Sequence, residues 1–185
     1  MNKDLILQYF VEYLSQQISL KLMSFQLFEK DGHADITMNL DQGGTEVSFS
    51  GSGVGLVDSG FNALMAKYSS EYPSLKTIGL SDLYFQVDHK ASAGLSVKSK
   101  TKMKLEFRND SKNRTFFSER TTSMGFTGIS VLVKAFEFYI NCELLFKRLK
   151  FLIKDAEDRN RSDVASKYKY NLSKVVEVTS YENIT

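Results

Sequence analysis

What most constrains this chain is a pattern that occurs twice: three short runs of alternating apolar and polar residues, then one amphipathic helical stretch. In the first set the runs are residues 23–28, 34–40 and 45–49, separated by the turn dipeptides Asp31-Gly32 and Gly43-Gly44. Alternation with period two marks half-buried strands, and glycine in such a dipeptide supplies the positive φ of a tight hairpin. A helix follows with Val57, Phe61, Leu64 and Met65 on one face, and Pro73, the only proline, stands beyond its end. The second set comprises residues 81–89, 102–107 and 114–121, then a helix from near Gly125 to about residue 155. Gly53/Gly125, Val57/Ile129, Ala63/Ala135 and Leu64/Phe136 match at one offset (125 − 53 = 72) and suggest a register for the repeat. The expected fold is α+β. Two βββα units, about 23–74 and 75–155, are related by a pseudo-two-fold axis, with helices covering antiparallel sheets.

The flanks read differently. Residues 1–22 are expected to hold an N-terminal helix, with Leu5, Tyr9 and Tyr13 in one row and Ile6, Phe10, Leu14 and Ile18 in the next. Residues 156–185 are expected to be a polar C-terminal extension that starts in the charge run at 155–161. Within it, 174–179 has the composition of an edge strand, an assignment left open.

A chain of 185 residues is long enough for one well-buried domain or two small units sharing a core. Its net charge of +2 gives no electrostatic case for nucleic acid or an anionic membrane, which call for a concentrated basic face. No apolar run approaches the length of a membrane helix, and the first residues lack a secretory signal, so the expected location is cytoplasmic. Catalytic constellations are missing. His33, His89 and Cys142 are scattered, so no metal site or cofactor is expected. Cys142 lies among Phe138, Leu145 and Phe146 at helical spacing, the setting of a buried, inert thiol. The expectation is that the chain is not an enzyme.

Two features point to binding instead. Gly51, Gly53 and Gly55 follow a strand and open a helix at Leu56, Val57 and Asp58. Free N–H groups at such a helix start can hold an anion. Neither the spacing nor the topology suits a dinucleotide. The alternative is that the glycines only permit a tight strand-to-helix turn with positive φ, and both readings stand. The second feature is an apolar seam on the last helix. Val131, Ala135, Phe138, Cys142, Leu145, Leu149 and Leu152 recur at alternating spacings of four and three, and a second face carries Leu132, Phe136, Ile140 and Leu144. One face covers the sheet; the other needs a partner, with a second copy of the chain favoured over the N-terminal helix.

The stretch from Gly53 to Leu64 carries a family resemblance. Gly53, Gly55, Val57, Asp58, Phe61, Ala63 and Leu64 match the G-N-G-P-V-D-A-A-F-K-A-L segment in the regulatory domain of isopropylmalate and citramalate synthases. Thr127, Ile129, Lys134 and Ala135 match a segment of that domain's second helix. The resemblance spans about residues 22–145 and implies a non-catalytic, dimeric regulatory module. It further implies a small carboxylate effector, such as a branched-chain amino acid or 2-oxo acid, held at Gly51, Gly53, Gly55 and Asp58 with Leu56, Val57 and Ile129 as apolar walls. The alternatives are a scaffold that keeps the fold without a ligand site, or a detached regulatory subunit of a separate synthase.

Overall fold

The structure is a computed structural model that describes residues 3–88 and 100–181. After helix α1 (Lys3–Tyr13) come strands β1 (Leu20–Lys30), β2 (His33–Gln42) and β3 (Thr45–Gly53), then α2 (Leu56–Tyr68). A 3-10 turn, Pro73–Thr77, leads into β4 (Ile78–Asp88), β5 (Lys100–Asn109) and β6 (Arg114–Thr121). Two helices follow, α3 (Met124–Asp158) and α4 (Ser162–Thr179). The strands form two antiparallel sheets, ordered β1-β2-β3 and β4-β5-β6. This is the expected α+β arrangement of two βββα units. The expected end of the fourth strand at His89 lies outside the described residues.

The two sheets share a defect that identifies them as repeats. Met23 is an extra residue in β1 opposite β2, and Ser81 is an extra residue in β4 opposite β5. Each bulge moves the rest of its strand by one place, which is why residues 23–28 alternate only in part. The helices repeat as well, but not at the offset of 72. Helix α2 is preceded by Gly55 and α3 by Ser123, so the offset is 68 (123 − 55). At that register buried Ser59 matches buried Thr127, each donating its hydroxyl to the carbonyl four residues earlier (2.8 and 2.7 Å). Gly60 likewise matches Gly128 (128 − 60 = 68). The helices meet at these glycines. A Cβ on Gly60 would lie 2.7 Å from Ile129 Cδ1, and one on Gly128 would lie 3.5 Å from Leu56 Cδ2.

Helix α3 is the spine. Its 35 residues span about 52 Å at 1.5 Å per residue. It packs on β1, β5, β6, α1, α2 and α4, while α2 covers β2 and β3. Three of its polar side chains are turned inward to hold the chain's entry into each sheet. Asn141 Oδ1 accepts from the Ile18 N–H (2.9 Å), and its Nδ2 donates to the Ile18 carbonyl (2.8 Å). Glu137 accepts from the Leu20 N–H at 2.6 Å, and burial pushes its carboxyl up. Buried Glu143 accepts from the Ser74 N–H (2.9 Å) and pairs with Lys147 (2.7 Å). Each backbone group held this way is spared an unsatisfied place at the edge of the core.

The flanks depart from expectation. Helix α1 stops at Tyr13, because Ile18 and Leu20 are drawn onto α3 and the chain is already in β1 at Leu20. Residues 156–181 are not the expected polar extension: α3 continues to Asp158, and α4 folds back along it. The segment 174–179 is helix rather than edge strand. Ala165, Asn171, Val175, Val178 and Thr179 form the buried stripe of α4. Asn171 donates to the Tyr13 hydroxyl (2.9 Å), and the Glu177 carbonyl accepts from Asn109 and Asn113 (2.9 Å each).

Candidate functional site

Strand β3 runs further than the alternation predicts, so Gly51 and Gly53 lie within it rather than in a loop. None of the three turn glycines uses its conformational freedom. Among the described residues the positive-φ glycines are Gly32, Gly43 and Gly44, and Gly55 is extended at φ 168°. The expectation of positive φ at this turn is therefore corrected. Close approach explains two of the three positions. A Cβ on Gly51 would stand 2.6 Å from Ala63 N, Cα and Cβ, and one on Gly53 would stand 2.6 Å from Ser59 N and collide with the Asp58 carboxylate. Around Gly55 there is open space.

Asp58 fills the place foreseen for an incoming anion. Its Oδ2 accepts from the Val54 N–H at 3.0 Å and from Asn62 Nδ2 at 3.5 Å, while the same Asn62 amide donates to the Ser52 carbonyl at 2.9 Å. The carboxylate thus fastens the first turn of α2 to the end of β3, where its charge also suits the helix dipole. Leu56 and Val57 are half-buried. Ile129 is fully buried against Gly60 and belongs to the core. Of the seven foreseen ligand residues, only Leu56 and Val57 therefore present partly open apolar walls. Leu56 lies between the starts of α2 and α3, 3.8 and 3.5 Å from where Cβ atoms on Gly125 and Gly128 would be.

The apolar seam on α3 has its partner within the chain. Val131, Ala135, Phe138, Cys142, Leu145 and Leu149 are each 5% exposed or less, and Leu152 is half-buried. Phe138 meets Phe10 of α1 and Phe117 of β6 at ring separations of 5.6 and 5.4 Å. Together α1, α4 and the sheets cover both apolar faces, so this seam is not an open dimer surface. The missing signal was α4, whose stripe is diluted by lysines and whose start is masked by the charge run. Burial pushes the Cys142 thiol well up, which keeps it protonated and inert.

Other clusters are already satisfied. A cavity of about 310 Å³ between α1, α3 and β6 is lined by Lys3, Lys134, Glu137 and Asn141 over Phe10 and Phe117. Glu137 and Asn141 are committed to residues 18–20, and Lys134 pairs with Glu119. Among the described residues no group of three or more His, Cys, Asp and Glu side chains could hold a metal ion. No helix among them is long and apolar enough to cross a membrane.

What residue order did not reveal is how unlike the outer faces of the two sheets are. On the first, the helix-free face presents Ser24, Gln26, Thr37, Asn39, Ser48 and Ser50, with Thr37–Ser50 and Asn39–Ser24 hydrogen bonds of 2.9 Å. On the second, the same face presents Lys100, Lys102, Lys104, Arg108, Arg114 and Arg120. Large apolar side chains are also exposed along both first strands: Leu27 (37%) and Phe28 (65%) on β1, Leu83 (41%) and Phe85 (45%) on β4. No family model and no curated protein matches this chain.

Proposed function

We propose that this chain is a non-catalytic interaction module that pairs with a second copy of itself through the edge strands β1 and β4. The observation that carries the reading is the apolar exposure of two edge strands at repeat-equivalent positions. Counting from the shared bulges, Leu27 corresponds to Phe85 (85 − 27 = 81 − 23 = 58). Leu83 and Phe85 point to the sheet's helical side, yet the helix there covers β5 and β6 and leaves them open. Exposed apolar edge strands are templates for further pairing unless a partner covers them. An edge that meets its own counterpart on a second copy makes a closed, isologous dimer. The resemblance to synthase regulatory domains supports the same reading. Sedimentation analysis tests it: the wild type should be a dimer at micromolar concentration, and Leu27→Asp with Phe85→Asp should give a folded monomer. A wild-type monomer at high micromolar concentration would end this reading.

A second reading, a small carboxylate effector, is favoured by one observation: the starts of α2 and α3 converge on half-buried Leu56. Aligned N–H groups beside an apolar wall suit an aliphatic amino acid or 2-oxo acid. A melting-temperature shift with such compounds at millimolar concentration, lost in Leu56→Asp, would support it; no shift with any of them leaves the interaction reading alone.

A further inference from the structure

We infer that the outer face of the β4-β5-β6 sheet is a binding platform for single-stranded nucleic acid. The net charge of +2 conceals a separation that only strand pairing reveals. Six cations, at 100, 102, 104, 108, 114 and 120, share this face with three acidic positions, Asp82, Glu106 and, paired with Lys100 at the end of β4, Asp88. Glu106 is 1% exposed and held by Arg108 (3.0 Å), Arg114 (3.4 Å) and the Ser81 hydroxyl (3.1 Å). It organises the two arginines without presenting an acid to solvent. Those arginines remain about half exposed, at 46% and 57%.

Folding alone does not require this face. The equivalent surface of the first sheet has Ser, Thr, Asn and Gln at its centre, and toward its ends Lys21 and Lys30 are offset by Asp35, Asp41 and Glu46. The second sheet instead places Lys102 directly opposite Arg120 and Arg108 directly opposite Arg114. Glu106 bridges Arg108 and Arg114 with a single carboxylate, which leaves that pair net positive and attractive to a polyanion. Cations at alternate positions of one strand stand about 7 Å apart, a step that an extended phosphodiester backbone can follow.

Aromatic rings choose among polyanions. Tyr84 (47% exposed) and Phe116 (39% exposed) lie on the same face. Lys104 Nζ stands 3.9 Å from the Phe116 ring centre and 5.5 Å from that of Tyr84. A basic surface with exposed rings is what unpaired bases use: phosphates meet the cations while bases stack. Duplexes keep their bases stacked inside, and an acidic peptide offers no bases.

Fluorescence anisotropy tests the assignment, with the full chain and labelled twelve-nucleotide oligo-dT and oligo-U. Saturable binding is expected at 50 mM salt. With three or four phosphates neutralised, affinity should fall about 20- to 50-fold by 200 mM salt. The Lys102→Glu, Lys104→Glu double variant should bind at least tenfold more weakly with a shallower salt dependence. Phe116→Ser should weaken binding while leaving the salt dependence unchanged. Circular dichroism should show both variants folded; if the double variant is not, Arg120→Glu takes its place with the same expected result. No saturable binding at 50 mM salt, full affinity in the charge variant, or equal affinity for a heparin fragment of matched charge would overturn the inference. So would a salt-sensitive self-association abolished by the charge variant in a protein that does not bind the oligonucleotides.

Discussion

Gly51→Ala should be among the most damaging single-methyl changes this chain can suffer. The added carbon would meet Ala63 N, Cα and Cβ, all at 2.6 Å. Nonbonded carbons rest about 3.5–4.0 Å apart, so β3 and α2 must separate by about 1 Å. The obstruction is backbone: rotamers cannot relieve it, and Ala63→Gly removes only one of the three atoms. Overpacking costs about 1–3 kcal/mol, with the upper end apt here. Replacing a strand glycine returns about 0.5–1 kcal/mol of chain entropy. The net loss is about 2 kcal/mol, which for a chain of this size lowers the melting temperature by about 4–8 °C. Gly55→Ser is the control, because its Cβ meets nothing within 4 Å and its φ of 168° suits any residue. Serine also caps α3 at the equivalent Ser123, so Gly55→Ser should leave the melting temperature unchanged or slightly raised. If thermal melts show Gly51→Ala as harmless as Gly55→Ser, close helix–strand approach is not what the glycines serve.

Two further outcomes probe α3. Burial raises the Glu137 carboxyl, so the native state holds its proton more tightly than the unfolded chain does. Its effect is therefore absent below the ordinary glutamate value of about 4.3, and stability is lost as pH rises from there through the native value. Glu137→Gln keeps an acceptor for the Leu20 N–H and removes the titration. In paired melts from pH 4 to 8, the variant should gain on the wild type over that window; parallel curves would show that the carboxyl is not perturbed. Cys142, 0% exposed, should resist a thiol-specific disulfide reagent in native buffer at pH 8 and react fully in guanidinium. Rapid native reaction would contradict the packing of α3 against α1 and α4.

Strand content was legible because period-two alternation is a local signal, clear at residues 34–40 and 102–107. The bulges at Met23 and Ser81 blurred the first strand of each unit, since one extra residue flips the pattern. The repeat register slipped from 68 to 72 because glycine at 53 serves helix approach, whereas Gly125 sits inside the first turn of α3. The α3 seam was read correctly as apolar and wrongly as free. Which surface covers a helix depends on pairings far apart in sequence, such as Phe10 with Phe138. The basic face escaped for a related reason. Residues 102 and 120 become neighbours only through the β5–β6 register, and no linear window contains the cluster.

The inward-facing Glu137, Asn141 and Glu143 bind the history of the chain to its cooperativity. They grip backbone up to 123 positions away, Glu137 and Asn141 at the doorstep of the first sheet and Glu143 at that of the second. The first three strands therefore wait on a helix made from the last third of the polypeptide, and their loop-closure entropy must be overcome before that helix can hold them. The first βββα half does not contain what it needs to stand alone: β1 borrows its cover from α3, whereas α2 gives β4 no matching cover. The dependence therefore runs one way, and a fragment ending before α3 would leave the inner side of β1 bare.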